Sequence, residues 1–197
     1  MTEVATLPDR AKMPNGKLAM WIFLASEIMF FSGLIGAYTV YRISNYDIFS
    51  PHYLNKWLAA LNTVILITSS YTMVLAVQGA QGNDNQKCRR FLLLTALLGL
   101  GFCAVKAIEY GTKLGHGITP GTSLFYSCYF GMTGIHAVHV IGGIIPLLGF
   151  WWVARDGRFT RKGNISVELL GLYWHFVDLV WIFLFPILYL LPVGTRG

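Results

Sequence analysis

Charge is what this sequence has least of. Only 12% of its 197 residues are Asp, Glu, Lys or Arg, against ~25% in an ordinary soluble domain. Acidic residues are the scarcer kind, nine against fifteen basic ones. Cysteine is scarce as well: Cys88, Cys103 and Cys128 form no C-x-x-C pair, and two of them lie inside apolar runs. That argues against a disulfide framework or a zinc site and leaves them as small buried hydrophobes. There is no phosphate-cradling Gly loop, no nucleophile elbow and no H-E-x-x-H. There is also no convincing internal repeat. Inverted-repeat transporters carry paired, broken helices in matching halves, so an undivided set of five spans argues against a solitary transporter.

What is present is apolar. Hydrophobic residues make up 55% of the chain and aromatics 15%, and the mean hydropathy is +0.56. A soluble fold of this size cannot bury that much apolar surface, so the chain belongs in a bilayer. A spanning helix needs ~20 mostly apolar residues, and five such stretches occur, at about 17–41, 57–79, 89–113, 122–153 and 166–191. No charge falls between Trp57 and Asn83, and none between Leu114 and Ala154. The first stretch is too long for a signal-peptide core, carries Glu27 near its middle and shows no small-residue cleavage site, so it reads as a membrane helix. The expected fold is all-α: a single five-helix membrane domain over 17–191, with short tails at 1–16 and 192–197.

The net charge of +6 reflects loops rather than a nucleic-acid surface, since no long basic run interleaves with exposed aromatics. Arg10, Lys12, Lys17, Lys87, Arg89, Arg90, Arg155, Arg158, Arg161 and Lys162 fall at one end of the bundle. Arg42, Lys56, Lys113 and Arg196 fall at the other. Ten against four predicts a cytoplasmic amino terminus and, with five spans, an outer carboxyl terminus.

Ionisable groups inside the hydrocarbon cost about 2.5–3.5 kcal/mol each by insertion scales and need a reason to be there. Glu27 reads either as a proton-relay carboxylate or as an acid hydrogen-bonded to a neighbouring helix. Lys106 and Glu109 stand i,i+3 apart and favour a structural ion pair. His136 and His139 share a face of the fourth helix, and His175 lies on the fifth. Three histidines without further N, O or S donors are a weak metal or haem signal, so hydrogen-bonded histidines of the bundle are preferred. Glu168, His175 and Asp178 form a polar stripe on the fifth helix that should point inward, towards Glu27 or the fourth-helix histidines. Small residues at Ser32 and Gly36, Ser127 and Gly131, Gly134, Gly142 and Gly143 suit close helix approach.

These segments resemble, in order, the motifs of subunit III of the haem-copper terminal oxidases. The resemblance runs through Ser26-Glu27-Ile28-Met29-Phe30-Phe31, Leu61-Asn62-Thr63 and Lys106-Ala107-Ile108-Glu109-Tyr110. It continues through Thr133-Gly134-Ile135-His136-Ala137-Val138-His139-Val140-Ile141-Gly142-Gly143, and is strongest at Tyr173-Trp174-His175-Phe176-Val177-Asp178-Leu179-Val180-Trp181. It implies a non-catalytic subunit of a proton-pumping oxygen reductase in the bacterial cytoplasmic membrane. No cofactor would be bound by this chain: the haems and copper belong to partner subunits I and II, a small subunit IV completes the set, and phospholipid is bound. The family subunit flanks subunit I, sustains proton uptake and protects the active site during turnover. Its carbodiimide-reactive carboxylate matches Glu27. The chain departs from the seven-span form in lacking its first two helices, which form one arm of a lipid-filled cleft, so that form's lipid sites cannot be carried over whole. Five-span members include cytochrome c oxidases, quinol oxidases and nitric-oxide-reductase-associated proteins; Glu rather than Asp at 27 favours the first. The rival from another class is an independent proton carrier.

Overall fold

The computed structural model describes residues 15–44, 55–156 and 164–190. The helices are α1 (Asn15–Ser44), α2 (Lys56–Gln81), α3 (Asn85–Gly115), α4 (Leu124–Val153) and α5 (Asn164–Phe185). A 3₁₀ turn (Ala154–Asp156) follows α4, and one π-helical turn (Pro186–Leu190) continues α5. All five are long and apolar enough to cross a membrane, and the described residues contain no strand. Asn15 and Gly16, assigned from sequence to the tail, open α1. Residues 1–14, 45–54, 157–163 and 191–197, with Arg10, Lys12, Arg158, Arg161, Lys162 and Arg196, lie outside the described residues.

Helix ends follow local chemistry. The Asn55 side chain accepts the Trp57 and Leu58 N–H groups, Asp84 that of Lys87 and Ser123 that of Tyr126. These bonds satisfy donors that have no intrahelical partner. The α2–α3 hairpin turns in three residues, with Asn83 at φ 55°, a left-handed conformation that Asn tolerates better than most side chains. A Cβ on Gly79 would stand 2.6 Å from the Cys88 backbone nitrogen, so only glycine lets the two helices meet this closely.

The bundle wears its apolar side chains outside. Met29, Trp57 and Ile145 are 77%, 87% and 67% exposed, whereas Asn62, Ser69, Thr95, Thr133 and His136 are buried. Helices apolar all round suit a lipid solvent, with polar groups turned inward as interhelical glue. The chain is a multi-pass membrane protein. α1 is peripheral: its buried residues are Leu24, Phe31 and Tyr38, a single stripe of sevens. α5 is central, touching α1, α2 and α4 and reaching α3 through two tryptophans. Trp174 sits in a slot between Gly99 of α3 and Gly143 of α4, where added Cβ atoms would come within 2.7 and 2.8 Å of its ring. Trp181 meets Phe102 edge-on at 5.0 Å. Of the small residues expected to allow close approach, Gly143 does so. Gly36 and Gly131 face open space, and Ser127 turns its hydroxyl to the Pro120 carbonyl.

Candidate functional site

The polar groups at membrane depth divide into separate assemblies, each using a different face of α4 or α5. Consecutive residues on a helix differ by 100°, so Tyr173, Trp174 and His175 leave α5 in three directions. The Tyr173 hydroxyl donates to the His139 carbonyl of α4 at 2.9 Å. The Trp174 indole N–H donates to Ser69 Oγ at 3.1 Å. His175 Nδ1 lies 2.7 Å from Ser70 Oγ of α2. The expected stripe of Glu168, His175 and Asp178 therefore does not face Glu27 or the α4 histidines. Glu168 pairs with Lys17 at 2.7 Å where α1 and α5 begin, with both side chains about a third exposed, so it is an end clamp rather than part of an intramembrane network. Asp178 is 3% exposed beside Ser70, and neither carboxyl oxygen is within hydrogen-bond geometry of a partner among the described residues. His175→Leu removes one interhelical bond and should cost about 1 kcal/mol, read as a lower thermal midpoint in detergent.

Glu27 finds its partner on α4. His139 Nε2 lies 3.0 Å from Glu27 Oε2, and His139 Nδ1 lies 2.9 Å from the Ile135 carbonyl. Both side chains are about four-fifths buried, and Phe31 stands edge-on to the imidazole at 5.2 Å. A carbonyl can only accept, so Nδ1 carries a proton. The Nε2–carboxyl bridge then holds one further proton, on the ring or on the acid. That proton can shift between ring and carboxyl along the same hydrogen bond. His136, three residues away, takes no part: it is fully buried, and neither ring nitrogen is hydrogen-bonded to a described residue. It stacks on Trp181 at 5.2 Å and meets Phe102 edge-on. The three membrane-depth histidines thus have three different neighbours, and the described residues contain no group of three His, Cys, Asp or Glu able to hold a metal ion.

The densest assembly centres on Glu109. Its carboxylate accepts the Lys106 ammonium at 2.7 Å, the Lys113 ammonium at 2.7 Å, and the Tyr129 and Tyr189 hydroxyls at 2.8 Å each. Lys106 also donates to Tyr189 at 2.7 Å, and Lys113 to Tyr129 at 3.0 Å. All five side chains are buried. Two ammoniums against one carboxylate leave a surplus positive charge, which aromatic faces share: Lys106 stands 4.5 Å from the Trp181 ring and Lys113 4.3 Å from that of Tyr129.

The Lys106–Glu109 pair was legible in the spacing; its three other members were not. Lys113, expected in the outer loop, is 3% exposed. Helix α3 runs two residues past it, and side chains on a helix lean towards its start, back onto Glu109 one turn earlier. Tyr129 and Tyr189 left no trace, because neutral phenols are unremarkable in an apolar run. Tyr189 reaches the cluster from the π turn. There the Ile187 carbonyl is also left to accept from Tyr38 at 3.4 Å and Arg42 at 3.3 Å, which ties α1 to the same end.

Against known proteins, the family model described as cytochrome c oxidase subunit III matches residues 10–193. A cytochrome c oxidase subunit 3 of Synechocystis sp. is 38% identical over 174 residues, covering 86% of this chain and 73% of the relative. That of Thermostichus vulcanus is 34% identical over 177 residues, covering 88% and 86%. That of Corynebacterium diphtheriae is 37% identical over 172 residues, covering 85% and 84%.

Proposed function

The chain belongs to the cytochrome c oxidase subunit III family, and from that membership we propose that it is the non-catalytic third subunit of a proton-pumping terminal oxidase in the bacterial cytoplasmic membrane. The haems and copper sit in subunits I and II, a small subunit IV completes the complex, and this chain flanks subunit I, carries phospholipid and sustains proton uptake through many turnovers. The observation that carries the reading is a family match along nearly the whole chain. The fate of the ionisable groups supports it: Glu109, Lys106 and Lys113 are spent on one another, which suits a scaffold better than a redox site. The amino terminus is cytoplasmic. With Lys113 withdrawn into the bundle, the loop charges stand at ten against three.

Within this role the Glu27–His139 bridge ties α1 to α4 at membrane depth, off the pumping path. Glu27→Gln should therefore leave the initial rate of oxygen reduction largely intact and shorten the number of turnovers before inactivation. Complete loss of the initial rate would refute this placement.

The decisive experiment isolates the complex in mild detergent through a tag on this chain. A reduced-minus-oxidised spectrum is taken before and after the partners are stripped. Haem bands that copurify and then leave with the partners support an accessory subunit, and their positions identify the oxidase type by its haems. Bands that stay with the bare chain, or none at all, overturn the reading. Proton flux in liposomes holding this chain alone, abolished by Glu27→Gln, would establish the carrier instead.

A further inference from the structure

At the end of the bundle where α1 begins, α3 starts and α4 finishes side by side. Asn85 donates to the Ala154 carbonyl at 2.6 Å and pins the two helix ends together. Between them opens a cavity of about 490 Å³ whose lining includes Asn85, Arg89, Arg90, Leu93 and Trp151. The Arg89 guanidinium stands 5.5 Å from the Trp151 ring, and that of Arg155 lies 5.0 Å from Trp152 and 6.0 Å from Trp151. Among the described side chains neither Arg89 nor Arg90 has a carboxylate within ion-pair distance. Asp84 is engaged in capping the Lys87 N–H at 2.9 Å.

Arg89 and Arg90 line this cavity between two membrane helices, with Arg89 over the Trp151 ring and Arg155 over Trp152 beside it, and guanidiniums gathered there make an anion site and not a scatter of topology signals. The planar fork of Arg matches a phosphodiester through paired N–H···O bonds, and stacking on indole holds that fork in place. Tryptophans at helix ends lie at the level of lipid headgroups. Below the arginines the lining turns apolar at Leu93, and neighbouring Leu94 and Leu97 are exposed along α3, which suits acyl chains rather than a free inorganic anion. Basic pockets of this kind between membrane helices take anionic headgroups. We infer that the cleft between the start of α3 and the end of α4 is a binding site for the phosphate headgroup of an anionic phospholipid, held by Arg89 and Arg90 over Trp151. The site deepens the lipid-bearing role proposed above and rests on it; it lies on the α3 side of α4, away from the α1 face that carries Glu27 and His139.

The test uses the intact complex in nanodiscs of mixed phosphatidylglycerol and phosphatidylcholine, with retained lipid counted by native mass spectrometry as detergent strips it. The parent should keep one phosphatidylglycerol in preference to phosphatidylcholine, and R89Q/R90Q should lower that occupancy at least about tenfold with the haem content unchanged. Equal retention of both lipids overturns the site, as does unchanged occupancy in the variant. Displacement by millimolar inorganic phosphate would show a free-anion site and overturns the lipid assignment. Should the double variant fail to assemble, R89M, which keeps the aliphatic stem on Trp151, decides on the same readout. Loss of haem from the parent itself would instead count against the oxidase role, so the two failures stay distinct.

Discussion

Replacing Glu109 with Gln should destabilise the bundle by about 3–5 kcal/mol, the usual result of removing one partner from a buried charge cluster. The carboxylate takes four donors, two ammoniums at 2.7 Å and two phenols at 2.8 Å. Gln offers one neutral acceptor and adds an N–H₂ that points at donors. Lys106 and Lys113 are then left as buried positive charges whose remaining neighbours, the hydroxyls of Tyr129 and Tyr189, are weak acceptors. Assembly should fail, or the thermal midpoint of the complex should fall steeply. The compensating triple variant K106M/E109Q/K113M should recover most of that loss, since replacing a buried ionic group by apolar residues of like size is often neutral or favourable. If E109Q melts within about 1 kcal/mol of the parent, as for a surface pair, the cluster does not hold α3, α4 and the end of α5 together.

The second large effect is expected at Trp174. Its ring is fully buried, wedged between Gly99 and Gly143, and bonded through its indole N–H to Ser69. One side chain thus joins α2, α3, α4 and α5. Trp174→Ala should cost about 3–5 kcal/mol, mostly through lost van der Waals contact, because lipid offers little hydrophobic drive for burying apolar surface. Gly99→Ala should cost about 1–3 kcal/mol by pushing a methyl into the ring. The same glycine change in a Trp174→Phe background should cost less, because the smaller ring vacates the contact. Strict additivity of the two would count against the slot, since residues in contact couple.

Five crossings, an apolar exterior and buried polar side chains could all be read from residue order. Hydropathy sums over a whole span, and the penalty on a misplaced charge is large enough to leave few arrangements. The subunit III motifs were legible for the same reason: they are the polar interruptions of otherwise apolar runs. Partners were not legible. Ser70, Tyr129 and Tyr189 are neutral residues that no insertion penalty singles out, yet they satisfy His175, Glu109 and Lys106. Gly99, which makes room for Trp174, looks like any other glycine in an apolar helix. His136 and His139 were read as sharing one face, and in the bundle one lies between aromatic rings while the other bridges to α1.

The number of helices, their approximate ends and the class of residue turned inward follow from the order of residues, because each depends on local sums of transfer energy and on capping side chains. Which helices share a hydrogen bond depends on azimuth. Each residue turns the chain by 100°, so the directions of Tyr173, Trp174 and His175 become partners only when α1, α2, α3 and α4 stand at definite angles around α5. Those angles are set by close contacts such as Trp174 in its glycine slot and Gly79 against Cys88. A rotation of one position would exchange every polar pair in the core while leaving the hydropathy profile unchanged.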